Sequence, residues 1–245
     1  MIDGLCEEFT ESEYEPRFFE LSLSSRDPAS PDPITIKSDK GNISIYGIID
    51  RVDAYKKGED VYLRVIDYKT GQKNFSPDDM AEGSNLQMFL YLKSLVESDK
   101  KQFRERCGAL DGGRLLPGGV IYVKTAIGDV RVDRPSDEDA ERAVKEAQDR
   151  EGMILDDEDS ISAMSLRYTP VYSKRSPNKI TDANRKYLYT EDGWNDIMKT
   201  VESSVIKVAD GIRSGEIGAK PYHKKKDKSP CEYCEYKAIC RKVEI

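Results

Sequence analysis

Asp67 and Lys69 stand two residues apart at the end of an apolar run, Val61-Tyr-Leu63-Arg-Val65-Ile-Asp67-Tyr-Lys69. Side chains alternate along a strand, so Val61, Leu63, Val65, Asp67 and Lys69 share one face. Such a stripe looks into a core, and a charged pair at its end is costly unless something compensates it. A divalent cation is the obvious compensation. Asp50 closes a second apolar run, Gly47-Ile48-Ile49-Asp50, and brings a second carboxylate. Hard cations such as Mg²⁺ take a few carboxylate oxygens and keep several waters. Asp50, Asp67 and the main-chain carbonyl of Tyr68 would supply three oxygens, while Lys69 would orient a water or steady a developing anion. This is equipment for hydrolysing a phosphodiester. Gln87 and Tyr91, four apart and therefore on one helix face, would hold the strand being cut or the lysine–metal assembly. Alone, Asp-x-Lys is usually a strand-end ion pair and Gln-x-x-x-Tyr an ordinary helix pair; their conjunction with Asp50 points to a metal site. Glu20 and Asp53 are weaker candidates. Glu20 reads as a strand-edge carboxylate, and Asp53, of opposite parity to Asp50, as a partner of Arg51 or a neighbour.

The elements that must position these groups are legible in order. Residues 15–24 read as a strand followed by a loop rich in Asp, Pro and Ser. Residues 42–53 and 60–69 read as two strands joined by a turn at 56–59, with Tyr46, Ile48, Asp50 and Val52 on one face. Ser84 to Val96 is apolar on most sides, which predicts a helix sandwiched in the centre of the domain. Gly118 to Lys124 is a short buried strand, residues 136–150 a charged surface helix, and 165–190 an irregular insertion or hairpin. A last amphipathic helix runs from about Glu191 to Ser214. Hairpins first and then a helix crossing to a further strand predict an α/β domain with one mixed central sheet. No glycine-rich phosphate loop is present, which argues against ATP binding within the chain.

The chain has 245 residues, 35 % of them charged and 38 % hydrophobic, with a net charge of −7. That composition suits a cytoplasmic protein, and no apolar run approaches a membrane span. The net charge has the wrong sign for holding nucleic acid by bulk electrostatics, so a bound strand would depend on local basic groups. One such segment holds Arg167, Tyr168, Tyr172, Lys174, Arg175, Arg185, Lys186 and Tyr187, a set suited to stacking on single-stranded DNA but more simply read as a solvated surface insertion. Of five cysteines, Cys231, Cys234 and Cys240 crowd the C-terminus. Without a secretory signal they read as metal ligands rather than disulfides, for iron–sulfur or, with His223, for Zn²⁺. Cys6 reads as an ordinary thiol or a substitute ligand, and Cys107 as a small, partly buried residue.

Gly47-Ile-Ile-Asp50-Arg-Val-Asp53, Asp67-Tyr-Lys69-Thr-Gly71 and Gln87-x-x-x-Tyr91 resemble the RecB-type nuclease domain of the PD-(D/E)XK superfamily. The stretch from Gly211 to Tyr222, followed by Cys231-x₂-Cys234-x₅-Cys240, is similar to the end of the AddB subunit of bacterial helicase–nucleases. The resemblance covers about Glu15 to Arg241. It implies a restriction-endonuclease-like mixed sheet flanked by helices over residues 1–220, with residues 221–245 as a tail forming part of an iron–sulfur site. It implies a Mg²⁺-dependent exonuclease acting on single-stranded DNA ends in double-strand break processing, beside an AddA-like partner. By this resemblance Asp50, Asp67 and Lys69 are catalytic and Gln87 and Tyr91 belong to the site. Two departures stand out. The family's metal-proximal histidine is absent, since His223 is the chain's only histidine, and the fourth cysteine of a 4Fe–4S cluster is not evident. Both are expected of the C-terminal fragment of a longer subunit, whose isolated form would hold no intact cluster. The competing readings are a stand-alone RecB-like nuclease and a catalytically silent DNA-binding scaffold; the intact Asp50, Asp67 and Lys69 weigh against the latter.

Overall fold

The computed structural model describes residues 2–70, 75–80, 83–110, 112–125, 149–173, 176–218, 231 and 234–240. Its centre is a six-stranded mixed sheet. The strands are β1 (Glu15–Ser22), β4 (Ile48–Lys57), β5 (Asp60–Lys69), β6 (Leu115–Lys124), β7 (Glu151–Leu155) and β10 (Leu188–Tyr189), and they lie side by side in that order. β1, β4 and β5 run antiparallel in turn, β5 and β6 parallel, β6 and β7 antiparallel, and β7 and β10 parallel. This is the mixed sheet expected from the motifs. The parallel β5–β6 step requires a crossover, supplied by α2 (Leu86–Val96) and α3 (Lys101–Cys107).

β5 is buried from Val61 to Asp67 because it is central and covered on both faces. Val61, Leu63 and Val65 face the main core with Phe89 and Leu92 of α2, while Ile66 joins Ile121 and Val123 in a smaller cluster on the other side. α2 is sandwiched as predicted. It packs on β5 and β6 with one side and on α5 (Glu191–Arg213) with the other. α5 buries Trp194, Met198 and Val201, spaced at helical intervals, and its first turn is capped by Thr190 Oγ1 accepting from Gly193 N at 3.0 Å. α1 (Ile2–Glu11) lies ahead of the first strand with Gly4 and Glu8 buried.

The structure corrects several boundaries. The expected 42–53 strand is broken at Tyr46-Gly47: β3 (Gly41–Ile45) pairs with β2 (Ile34–Ser38), a strand unmarked in its Asp- and Pro-rich surroundings, in a hairpin separate from the main sheet. Tyr46 therefore precedes β4 instead of sharing a strand face with Asp50. β4 continues to Lys57, so the turn is shorter than expected. The 165–190 segment is not wholly an insertion. It holds the hairpin β8 (Tyr172–Ser173) and β9 (Ser176–Ile180), and then delivers β10 to the central sheet. A short helix, α4 (Glu158–Ser162), and β7 were also missed. The helix expected over 136–150, Gly71, Lys174, Arg175 and His223 lie outside the described residues, apart from 149 and 150, which are not helical. Among the described residues no helix is long and apolar enough to cross a membrane.

Candidate metal centre at the end of the central strands

Asp67 and Lys69 leave the core where β5 emerges from cover. Asp67 is 6 % exposed, and the Lys69 side chain is one-third exposed. Arg51 of β4 pairs with Ile66 of β5, so one step further along both strands Asp50 stands beside Asp67. Asp50 Oδ2 accepts a hydrogen bond of 2.8 Å from the Tyr68 amide, which engages one of its two oxygens and holds the carboxylate against the strand that carries Asp67. Lys69 Nζ lies 2.6 Å from Asp67 Oδ2. Among the described residues that oxygen is buried and receives no hydrogen bond beyond this ion pair. A buried carboxylate oxygen with one ionic neighbour is under-compensated, which suits a place for a cation. Among the described residues no group of three or more His, Cys, Asp or Glu side chains is gathered for a metal. Two carboxylates and a main-chain carbonyl nevertheless match the sparse protein coordination that Mg²⁺ prefers.

Gln87 and Tyr91 come together as predicted: Gln87 Nε2 donates to Tyr91 Oη at 2.9 Å. Tyr91 is buried, whereas Gln87 is exposed. The structure adds the reason for Gly47. A methyl group there would lie 2.2 Å from Tyr91 Oη and 2.5 Å from Tyr91 Cε1, so the phenol ring occupies the space of a side chain at 47. The glycine of the first motif thus seats the tyrosine of the third, three residues before Asp50. Gly47→Ala should push the ring away, cost about 1–3 kcal/mol of stability and break the Gln87 bond. A melting curve superimposable on that of the wild type would show that the ring does not rest there.

Behind this edge lies an ionic cluster that the sequence reading caught only in part. The expected Arg51–Asp53 pair is present, with Arg51 Nε 2.9 Å from Asp53 Oδ1 and Arg51 Nη2 donating to Asp53 Oδ2 at 3.0 Å. Arg64 Nε donates to the same Oδ2 at 2.8 Å. Glu8 of α1 accepts from Arg64 Nη2 at 3.1 Å and from Arg150 Nη2 at 3.0 Å. Arg51 Nη1 donates to Tyr68 Oη at 2.7 Å, which ties the cluster to the residue between Asp67 and Lys69. Burial alone would raise the Glu8 carboxyl, but Arg64, Arg150 and Arg51 hold it below the usual glutamate range. Burial pushes the Tyr68 phenol up, against the opposing charge of Arg51.

The third group that was missed is on β6 and β7. Tyr122 pairs with Asp67, and Lys124 with Lys69, across the parallel ladder. Tyr122 is buried, and both its burial and the charge of Asp67 push the phenol well above its ordinary range. Glu151 pairs with Tyr122 from the far side and takes Lys124 Nζ at 2.8 Å. Glu20 sits exposed on the edge strand β1, as its weaker reading implied. Tyr168, one of the proposed stacking aromatics, is buried beneath the Arg150 guanidinium, 4.8 Å from ring centroid to Cζ, and cannot stack on a base. Tyr187 is half-buried against Phe75; Arg167, Arg185 and Lys186 are exposed. Cys231 is half-buried, and Cys234 and Cys240 are exposed at the C-terminal tail, where Lys237–Cys240 form a short helix, α6. Cys107 is fully buried, more so than expected, and burial pushes its thiol up to about 12.

A model of the PD-(D/E)XK nuclease superfamily matches residues 2–241. Curated relatives similar to nearly the whole chain are named as a subunit of an ATP-dependent helicase/deoxyribonuclease. The protein of Clostridium acetobutylicum is 27 % identical over 241 residues, which are 97 % of this chain and 20 % of the relative. That of Thermoanaerobacter sp. strain X514 is 28 % identical over the same span and shares. That of Clostridium botulinum strain Langeland is 32 % identical over 237 residues, 93 % of this chain and 19 % of the relative. The chain therefore spans about a fifth of the length of these relatives.

Proposed function

Because the chain belongs to the PD-(D/E)XK nuclease superfamily, we propose that it is the nuclease module of a helicase–nuclease subunit, cleaving single-stranded DNA from ends during double-strand break repair. The observation that carries this reading is the under-compensated Asp67 carboxylate, with Asp50 beside it and Lys69 on it, at the exposed end of two neighbouring strands. In it, residues 1–220 form the nuclease domain and 221–245 the cysteine tail, and the partner is an AddA-like motor protein.

Asp50, Asp67 and the Tyr68 carbonyl would hold Mg²⁺. When bound, the metal lowers the pKa of its water and neutralises charge building on the phosphate. Tyr68 keeps Asp50 in place through its amide. Lys69, paired with Asp67, brings an ammonium to the scissile phosphate, where it steadies negative charge and orients the attacking water. Gln87 and Tyr91, locked to each other and to Gly47, set one wall of the site. Cys231, Cys234 and Cys240 would give three thiolates to an iron–sulfur cluster in the longer subunit, or to Zn²⁺ in the less favoured reading. Cys107 does not fit the fourth position, since a thiol walled in the core resists ionising. The relatives' printed names, which join a helicase to a deoxyribonuclease, support the assembly reading over a stand-alone nuclease.

Metal removal tests the proposal. End-labelled linear oligonucleotides should be degraded in Mg²⁺ and left intact in EDTA, with degradation returning when Mg²⁺ is restored in excess. Covalently closed single-stranded circles should survive. Degradation that persists in EDTA would remove the metal from the mechanism, and circles cut as fast as linear strands would remove the exonuclease assignment.

A further inference from the structure

The cleavage chemistry accounts for Asp50, Asp67 and Lys69 but leaves a second basic group on the same edge without a task. Lys124 is the register partner of Lys69 on the neighbouring parallel strand, so the two ammonium-bearing side chains project side by side. Like charges opposite one another across strands are unfavourable, and each here has its own carboxylate: Asp67 for Lys69 and Glu151 for Lys124. Both lysines remain open to solvent, Lys124 by 25 % and Lys69 by 33 % of the side chain. Glu151 is itself fixed, because its Oε2 accepts the Phe75 amide at 2.6 Å while Oε1 holds Lys124 Nζ. The strand ends are tied as well: the Thr125 amide and hydroxyl both donate to the Lys69 carbonyl, at 2.9 and 3.2 Å. A lysine ammonium has three donors, and Glu151 uses one.

We propose that Lys124 is a phosphate-binding residue, held by Glu151, that grips the DNA phosphate next to the one presented to Lys69. This inference rests on the nuclease reading and names how that site takes its substrate. In a chain of net charge −7 the strand cannot be held by bulk attraction, so local basic groups must hold it, and the paired lysines are the ones at the site edge. Lys69 and Lys124 make a two-pronged basic edge whose prongs are one strand spacing apart, roughly 4.8 Å. The contact is to the backbone, so it is indifferent to base sequence.

Fluorescence anisotropy of the whole chain with labelled oligothymidylate, in EDTA so that no cleavage occurs, tests this over a series of KCl concentrations. Lys124→Gln should weaken binding about tenfold, the worth of one charged hydrogen bond. It should also make the plot of log affinity against log salt shallower by about 0.7, the loss of one phosphate contact on a single strand. Lys124→Arg should keep the wild-type slope, and Glu151→Gln should weaken binding less than Lys124→Gln while leaving the slope intact. If Lys124→Gln binds with wild-type affinity and slope and only its melting temperature falls, Lys124 merely pins β6 to β7 and the proposal is wrong. Absence of any salt-dependent affinity in the wild type would instead overturn the nuclease reading, and this inference with it.

Discussion

Asp67→Asn should lower the rate of Mg²⁺-dependent DNA cleavage about 10³-fold, the upper range for losing one preorganised electrostatic group, without lowering the unfolding midpoint. The two halves of this expectation come from the same geometry. Among the described residues, buried Asp67 Oδ2 has the Lys69 ammonium as its partner, so taking its charge out of water is a cost that the ion pair must offset. Removing that charge relieves the cost. Lys69 is left without its partner, but one-third of its side chain reaches water, which solvates the ammonium. A residue that served stability would behave in the opposite way, and this trade of stability for activity is the mark of a functional site. Lys69→Met should also abolish most cleavage, yet leave Mg²⁺ binding by calorimetry close to wild type, whereas Asp67→Asn should lose it. If the two variants lose metal affinity equally, Lys69 acts by shaping the carboxylate rather than by meeting the phosphate. Cleavage at the wild-type rate by Asp67→Asn would dismiss the site altogether.

This site was legible in the sequence because its parts are local. Val61 to Lys69 states its own strand, its buried face and the point where charge begins, and the alternation needs no knowledge of neighbours. α2 was equally clear from its nearly all-round apolar surface. What escaped was whatever depends on strand order. Lys124 comes beside Lys69, and Glu151 meets Lys124, only because β6 is parallel to β5 and β7 antiparallel to β6, and nothing in the residues near position 124 announces that pairing. The β2 strand was hidden because its five residues follow a loop with three prolines, Pro28, Pro31 and Pro33, which read as turn material. The break at Gly47 looked like strand continuity because only the Tyr91 ring, from a distant helix, requires a glycine there. One signal of the buried cluster was present and passed over. Arg64 sits in the middle of an otherwise apolar strand, and a guanidinium in such a place demands buried carboxylates. Which ones could not be read, since Glu8 and Arg150 arrive from distant parts of the chain.

Replacing Glu8 should therefore be the most damaging single change to stability. Glu8→Leu is expected to cost about 3–5 kcal/mol, the usual penalty for removing one partner of a buried ion pair, measured by urea unfolding. Three guanidiniums, of Arg51, Arg64 and Arg150, surround its carboxylate, and all are almost wholly buried. Without it, Asp53 is left to face Arg51 and Arg64 alone, and Arg150 loses its 3.0 Å contact. The isosteric Glu8→Gln keeps the shape and removes the charge, so it separates packing from electrostatics; most of the loss should persist in it. The pH dependence follows from the direction of the Glu8 shift. Its carboxyl is held below the ordinary range in the folded chain, so its contribution is complete only well above about pH 4.3, the pKa of an unfolded glutamate. It is lost as the pH falls through the lower folded-state value. The wild type should accordingly lose stability more steeply than Glu8→Gln below that pH, and the two curves should converge in acid. Since Arg51 also holds Tyr68, whose amide holds Asp50, the same substitution should loosen the candidate metal centre from behind. Mg²⁺ should then raise the melting temperature of Glu8→Gln less than it raises that of the wild type. Equal stabilisation by Mg²⁺ in both proteins would confine the cluster to holding α1 against the sheet.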